Sequence, residues 1–148
     1  MKNLCYETLK DIGYKGYILK DAPERIFQFG EGNFLRAFVE CWIDKMNETA
    51  GFNSKVVICQ PIAKGLSDII NEQEGLYTLI LRGNENGRKV DERRVISCVS
   101  KCLSPYEDYE AVLSYAESED MRYVVCNTTE ARIQYDPSCS FDDAPASS

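Results

Sequence analysis

Gly30-Glu31-Gly32-Asn33-Phe34 is the stretch of this 148-residue chain whose residue types and spacing point most directly to chemistry. It lies between a segment of strand formers, Arg25 to Gly30, and a segment of helical periodicity. In that setting Gly30 permits a tight turn, and Gly32 lets the backbone approach a phosphate with no Cβ in the way. A helix beginning near Phe34 would aim free N–H groups and the positive end of its dipole at the anion. The third glycine of the Gly-x-Gly-x-x-Gly fingerprint is missing, because position 35 is Leu. Nucleotide binding and a structural turn are the two readings open on these residues alone.

Further candidates sit where other strands should end. Gln60 closes the run Lys55-Val-Val-Ile-Cys-Gln60, where an Asp or Glu usually holds the 2′-hydroxyl of NAD. Its amide can bond the ribose diol, and Lys64 could meet a 2′-phosphate, so NAD is only mildly favoured over NADP. Asn127, Thr128 and Thr129 follow Met121-Arg-Tyr-Val-Val-Cys126 and read either as contacts to the nicotinamide half or as a polar turn capping its own backbone. Arg36, one turn inside the helix, could reach a pyrophosphate, an anionic substrate or a surface carboxylate.

Other chemistries are excluded. The chain has no histidine, so it cannot by itself build a Ser-His-Asp triad, a Cys-His pair or a histidine-ligated zinc. Its seven cysteines are odd in number and form no Cys-x-x-Cys pair, which argues against a disulfide framework or zinc knuckle. Most read as small buried apolar residues; Cys126, at a strand end, reads as filling or as the lining of a pocket, and Tyr123 reads as core.

The elements that must position these groups alternate. Arg25 to Gly30 predicts a strand. Leu35, Phe38, Val39, Trp42, Ile43 and Met46 recur at helical spacing and predict one apolar helix face running to about Glu48. Lys55 to Gln60 predicts a strand buried on both faces, completing a βαβ unit. A short helix is expected over Leu66 to Glu72, with Leu66, Ile69 and Ile70 inward. Leu76 to Arg82 and Val90 to Val99 predict a hairpin around Asn86-Gly87, a strong turn signal. Ser104-Pro105-Tyr106-Glu107 offers an N-cap, a first-turn proline and a capping-box glutamate for a further helix. Met121 to Cys126 predicts another buried strand. The fold class is α/β: a Rossmann-like, doubly wound, mainly parallel sheet with a β-hairpin excursion. Residues 1–24 read as a leader packed on the domain, and 25–148 as one Rossmann domain.

The formal net charge is −7, split into 12 basic and 12 acidic residues up to Val90 and 5 basic against 12 acidic beyond it. A broad nucleic-acid or anionic-membrane surface is thereby disfavoured. The first residues lack a signal-peptide apolar core, and no run approaches the ~18 apolar residues of a membrane span. A reducing, cytoplasmic setting is the expectation.

Four stretches together carry a resemblance: Arg25-Ile-Phe-Gln-Phe-Gly-Glu-Gly-Asn-Phe-Leu-Arg-Ala-Phe38; Gln73-Glu-Gly-Leu-Tyr-Thr78 with Arg82-Gly83; Met121 to Ala131; and Phe141-Asp-Asp-Ala-Pro-Ala146. They look like the mannitol dehydrogenase family of long-chain polyol dehydrogenases, and within it the tagaturonate reductases, also called altronate oxidoreductases. The resemblance implies an N-terminal Rossmann domain that binds NAD(H), without metal. It places NAD at Ile26 to Ala37, with Gly30, Gly32, Asn33 and Phe34 beside the pyrophosphate; together with the residues read above, the expected contacts are Phe29, Gly30, Glu31, Gly32, Asn33, Phe34, Arg36, Gln60, Asn127, Thr128 and Thr129. It implies reversible hydride transfer between NAD(H) and a sugar acid, D-tagaturonate or D-altronate. Proton transfer would be assigned to a Lys with Asn and His helpers in a helical C-terminal domain absent from this sequence, so no residue here takes a catalytic role. One departure is Arg132, where the family pattern has glycine. The alternatives are a fructuronate or mannitol dehydrogenase domain, a non-catalytic nucleotide-binding module, and an S-adenosylmethionine-dependent methyltransferase.

Overall fold

The computed structural model describes residues 3–128 together with 137, 138, 140 and 142; Thr129, Arg132 and Cys139 lie outside the described residues. A four-stranded parallel sheet has the order β5-β2-β1-β6, built from β1 Glu24–Phe29, β2 Lys55–Cys59, β5 Val99–Leu103 and β6 Tyr123–Cys126. β2 is buried throughout, as its unbroken apolar run predicts. Its alternation divides the core. Val56 and Ile58 join Ile26, Cys41, Ile43 and Ile96 on one face, while Val57 and Cys59 join Phe27 on the other.

The helix after β1 is broken. α2 spans Asn33–Ala37 and α3 Val39–Ala50, separated at Phe38 (φ −109°, ψ −67°). α3 ends at Gly51, whose left-handed φ of 63° makes a C-cap suited to glycine. The predicted apolar face is half right. Leu35 and Ile43 are buried and Val39 is partly buried, but Phe38 and Trp42 are each 55% exposed and Met46 is exposed. Glu40, Asp44 and Asn47 are buried in their stead. The helix has neighbours on two flanks, the sheet and a hairpin, and the second contact is polar. Asn47 closes the α3–β2 loop, donating to the Ser54 carbonyl and accepting from the Ser54 N–H, both at 2.9 Å.

α4 spans Ser67–Glu72 and buries Ile70, whereas Ile69, expected inward, faces solvent. The hairpin pairs β3 Tyr77–Glu85 with β4 Arg88–Ile96 around Asn86 and Gly87, whose positive φ values (50° and 79°) give the two-residue turn its primed geometry. Its second strand ends sooner than Val99. At Ser97-Cys98 the chain leaves the hairpin, and Val99 opens β5 (Val99–Leu103), a parallel strand that the sequence did not predict. Buried Asp44 makes that switch: its Oδ1 accepts from both the N–H (2.9 Å) and Oγ (3.1 Å) of Ser97, while Arg94 bonds its Oδ2 at 2.5 Å. Gly75 lies against the Val99 carbonyl so closely that a Cβ would collide with it.

α5 spans Tyr109–Ser114, later than its apparent capping box. Ser104 to Glu107 form a turn in which the Ser104 carbonyl accepts from Glu107 and Asp108, and Asp108 is the true N-cap, accepting from the Ala111 N–H at 2.9 Å. β6 lies at the sheet edge, so Tyr123 and Val124, read as buried, are exposed. Before β1, α1 (Tyr6–Asp11) buries Leu9 against Leu76 and Val95, a helix the polar composition did not signal. Among the described residues no helix is long and apolar enough to cross a membrane.

The Asp44 junction yields a test. Arg94→Ala leaves the buried carboxylate without its cation, and urea unfolding is expected to show a loss of about 2–3 kcal/mol, with Arg94→Lys recovering only part.

Candidate functional site

The carboxyl ends of β1, β2 and β6 come together at the glycine loop. Gly30 extends the ladder by donating its N–H to the Cys59 carbonyl at 2.9 Å, then turns with φ +105°, a region in which side chains are strained. Gly32 has ordinary dihedrals (φ −64°, ψ 159°) and is the N-cap of α2, with no side-chain cap bond. A Cβ built on Gly32 meets nothing within 4 Å, so that side of the loop is open. The two glycines thus serve different ends: conformation at Gly30, access at Gly32.

Three side-chain hydrogen bonds hold the loop. Gln28 Nε2 donates to the Gly30 carbonyl at 2.9 Å. Arg36 donates through Nε to the Glu31 carbonyl (2.9 Å) and through a terminal nitrogen to Asn33 Oδ1 (2.7 Å). Its guanidinium also lies over the Tyr77 ring, 5.5 Å from the centroid. Arg36 therefore sits beside the loop, with its donors directed at the loop's own oxygens.

Gln60 is buried, and its amide is engaged by its own loop: Oε1 accepts from the Ser67 N–H (2.9 Å) and Nε2 donates to the Ile62 carbonyl (2.8 Å). The Glu31 side chain is buried beside it, and a Cβ at Gly65 would strike Oε1 of both Glu31 and Gln60. Gly65 is therefore needed for close approach between the two strand-end loops, which sequence reading missed. Lys64 is exposed on the same loop. Burial pushes the thiol of Cys59 up to about 11 and that of Cys102 up to about 12, with Glu31 adding to both, so these cysteines stay neutral.

Asn127 Oδ1 lies 3.9 Å from the position a Gly30 Cβ would take, so the end of β6 faces the glycine turn. Thr128 folds back on Cys126, with Oγ1 and Sγ 2.8 Å apart, in a local turn. Cys126, expected as filling, is exposed at the edge of this site. Phe29 is partly exposed and meets Phe27 edge-on at 5.1 Å, and Phe34 is exposed and stacked on Phe38 at 5.6 Å. The structure thus brings Phe29 to Phe34, Arg36 and Asn127 together, with Gln60 behind them. Sequence reading also missed Gln28, Glu40 and Tyr77 under the loop; a glutamine between Phe27 and Phe29 in a buried strand was the available signal.

A sequence profile described as the Mannitol dehydrogenase Rossmann domain matches residues 24–139. The altronate oxidoreductase of Phocaeicola vulgatus is 52% identical over 126 residues, 85% of this chain and 26% of that protein. That of Bacteroides thetaiotaomicron is 50% identical over the same length. The chain spans about a quarter (26%) of the length of these curated relatives. Among solved structures, Pseudomonas fluorescens mannitol 2-dehydrogenase, in ternary complex with NAD and D-mannitol, superposes with a TM-score of 0.72 at 23% identity. That match covers 85% of this chain and 26% of the other. A substrate-free D-sorbitol dehydrogenase superposes at 0.69 and 24% identity, over 86% of this chain and 27% of that one.

The two glycines separate experimentally. Gly30→Ala is expected to cost about 1–3 kcal/mol in chemical unfolding, from the strained φ. Gly32→Ala should cost under about 1 kcal/mol, that of a weaker N-cap.

Proposed function

The chain belongs to the mannitol dehydrogenase family through its Rossmann domain, and from that premise we propose that it is the NAD(H)-binding domain of an altronate oxidoreductase. The observation that carries this reading is the placement of Gly30 and Asn127. β2 lies on one side of β1 and β6 on the other, so the chain reverses its direction of travel across the sheet at the carboxyl end of β1. Ligands of open α/β sheets bind at such a switch point.

The residues fit a dinucleotide. Gly32 opens the loop to a pyrophosphate, and the first-turn amides of Asn33 and Phe34 follow it. Arg36 fixes the loop from behind, and its charge favours an anion. Gln60 and Glu31 shape the adenosine side, where Gln60 acts by positioning its loop. Phe29 lines the approach, and Asn127, Thr128 and Thr129 are assigned to the nicotinamide side. Bound NADH would supply the hydride; nothing in this chain is assigned proton transfer, which we place in a part of the full-length enzyme beyond the Rossmann domain. The sugar acid is D-tagaturonate or D-altronate, a choice supported by the names of the relatives at about 50% identity. On this reading residues 25–148 form the coenzyme domain with 1–24 packed upon it, in a cytoplasmic enzyme that engages neither membrane nor nucleic acid.

Calorimetric titration with NADH, NADPH and S-adenosylmethionine tests the site. Saturable NADH binding is expected, weakened roughly tenfold by Gly32→Ala, or about 1.4 kcal/mol; saturation by S-adenosylmethionine alone overturns the reading. NADH is also expected to slow maleimide labelling of Cys126, followed by peptide mass spectrometry. The full-length enzyme should oxidise NADH with tagaturonate, and turnover with fructuronate instead would reassign the substrate.

A further inference from the structure

Beneath the glycine loop lies a buried polar cluster for which coenzyme binding as described has no use. Gln28 and Glu40 are both fully buried. Gln28 Nε2 reaches the Gly30 carbonyl at 2.9 Å and Glu40 Oε1 at 2.8 Å. Glu40 Oε2 lies 2.7 Å from the Tyr77 hydroxyl oxygen, which in turn lies 2.6 Å from the Arg36 carbonyl oxygen. Two short contacts thus converge on one hydroxyl that owns a single proton. The Arg36 carbonyl can only accept, so it takes the tyrosine proton. A second proton must then stand between Tyr77 and Glu40, and only the carboxyl group can supply it.

We propose that Glu40 is the positioning residue of the glycine loop, held as a neutral carboxylic acid whose proton is donated to the Tyr77 oxygen so that Tyr77 serves the Arg36 carbonyl. The loop is reached from Glu40 along two short routes. One runs through Gln28 to the Gly30 carbonyl. The other runs through Tyr77 to Arg36, whose side chain grips Glu31 and Asn33. If Glu40 ionises, it draws the Tyr77 proton to itself and leaves the Arg36 carbonyl without a donor. The inference rests on the coenzyme reading only where it predicts affinity.

The surroundings favour the neutral form. Burial pushes the Glu40 carboxyl from its ordinary 4.5 up to about 7, against the hydrogen bonds from Tyr77 and Gln28 and the positive Arg36 guanidinium. Around it, the Cys98 thiol, which donates to the Glu40 carbonyl at 3.3 Å, is pushed well up by burial, as are Cys102 and Tyr77. Asp44, one turn further along α3, is engaged by Arg94 and Ser97. The chain has no histidine to titrate alongside Glu40. Because the folded value lies above the unfolded one, the stabilisation is complete below about 4.5 and is lost as pH rises through about 7. In Glu40→Gln the amide donates to Tyr77 and accepts from Gln28 at every pH.

Thermal unfolding without ligand and fluorescence titration with NADH, each from about pH 5.5 to 8.5, test this in the parent chain, Glu40→Gln and Tyr77→Phe. The Tm of Glu40→Gln relative to the parent is expected to rise from pH 5.5 towards about 7 and to level off above it. NADH affinity of the parent should weaken about fivefold as pH increases through about 7, the scale of one lost hydrogen bond, and that of Glu40→Gln less than about twofold. Tyr77→Phe should bind weakly at every pH, without the step. A Tm gap that does not change with pH overturns the neutral acid, and a widening gap with pH-independent NADH affinity overturns its hold on the loop. If the gap widens but NADH binds to none of the three proteins, the coenzyme reading has failed and the buried acid stands.

Discussion

Every residue of β2 from Lys55 to Cys59 is buried, with β1 and β5 on its two edges. A strand so enclosed has no face or edge for solvent, so each of its polar backbone groups must find a partner in the sheet and each of its two faces needs a cover. The remaining architecture answers that requirement. α3 covers the face of Val56 and Ile58, and the α5 side, through Val112 and Tyr115, covers that of Val57 and Cys59. Even Lys55 obeys it: its ammonium donates to the Ser97 carbonyl at 2.8 Å and the Val99 carbonyl at 3.3 Å, in surroundings that lower its affinity for a proton through burial. The switch point, and with it the glycine loop, is where this enclosed sheet opens at its carboxyl end.

α3 reconciles two demands in one helix. Its apolar residues meet the sheet, while Glu40 and Asp44, one turn apart, receive the hairpin through Tyr77 and Arg94. Buried acids are costly unless satisfied, so the hairpin docks where Tyr77, Arg94 and Ser97 all meet their partners. That docking also carries the chain from β4 into β5. The hairpin is therefore a structural bracket as well as an excursion, tying the end of the sheet to the helix that follows the glycine loop.

How much of this was legible followed from the range of the interactions involved. The Gly30 turn, the buried β2 run and the Asn86-Gly87 hairpin turn are set by local geometry, and they stand in the sequence as such. The break at Phe38, the polar flank of α3 and the start of β5 depend on partners some 37 to 58 residues away, Tyr77, Arg94 and Cys98 among them, which no local window contains. Asp108, and not Ser104, is the N-cap because its Oδ1 accepts from the Ala111 N–H, whereas Ser104 Oγ is buried without a hydrogen-bond partner among the described residues. At the candidate site, the glycines and Arg36 stood out because their stretch is short and contiguous, and Asn127 because it follows a strand-like run. Gln28, Glu40 and Tyr77 were not, because they act together only once three separate elements have packed.

The Gly30–Asn33 loop takes its shape from side chains of the chain itself, Gln28 and Arg36. Association at such a loop has little disorder to remove, so the entropy that a floppy phosphate loop surrenders on capture is instead lost once, during folding. On the coenzyme reading proposed above, affinity there would be set by the contacts made and the water displaced.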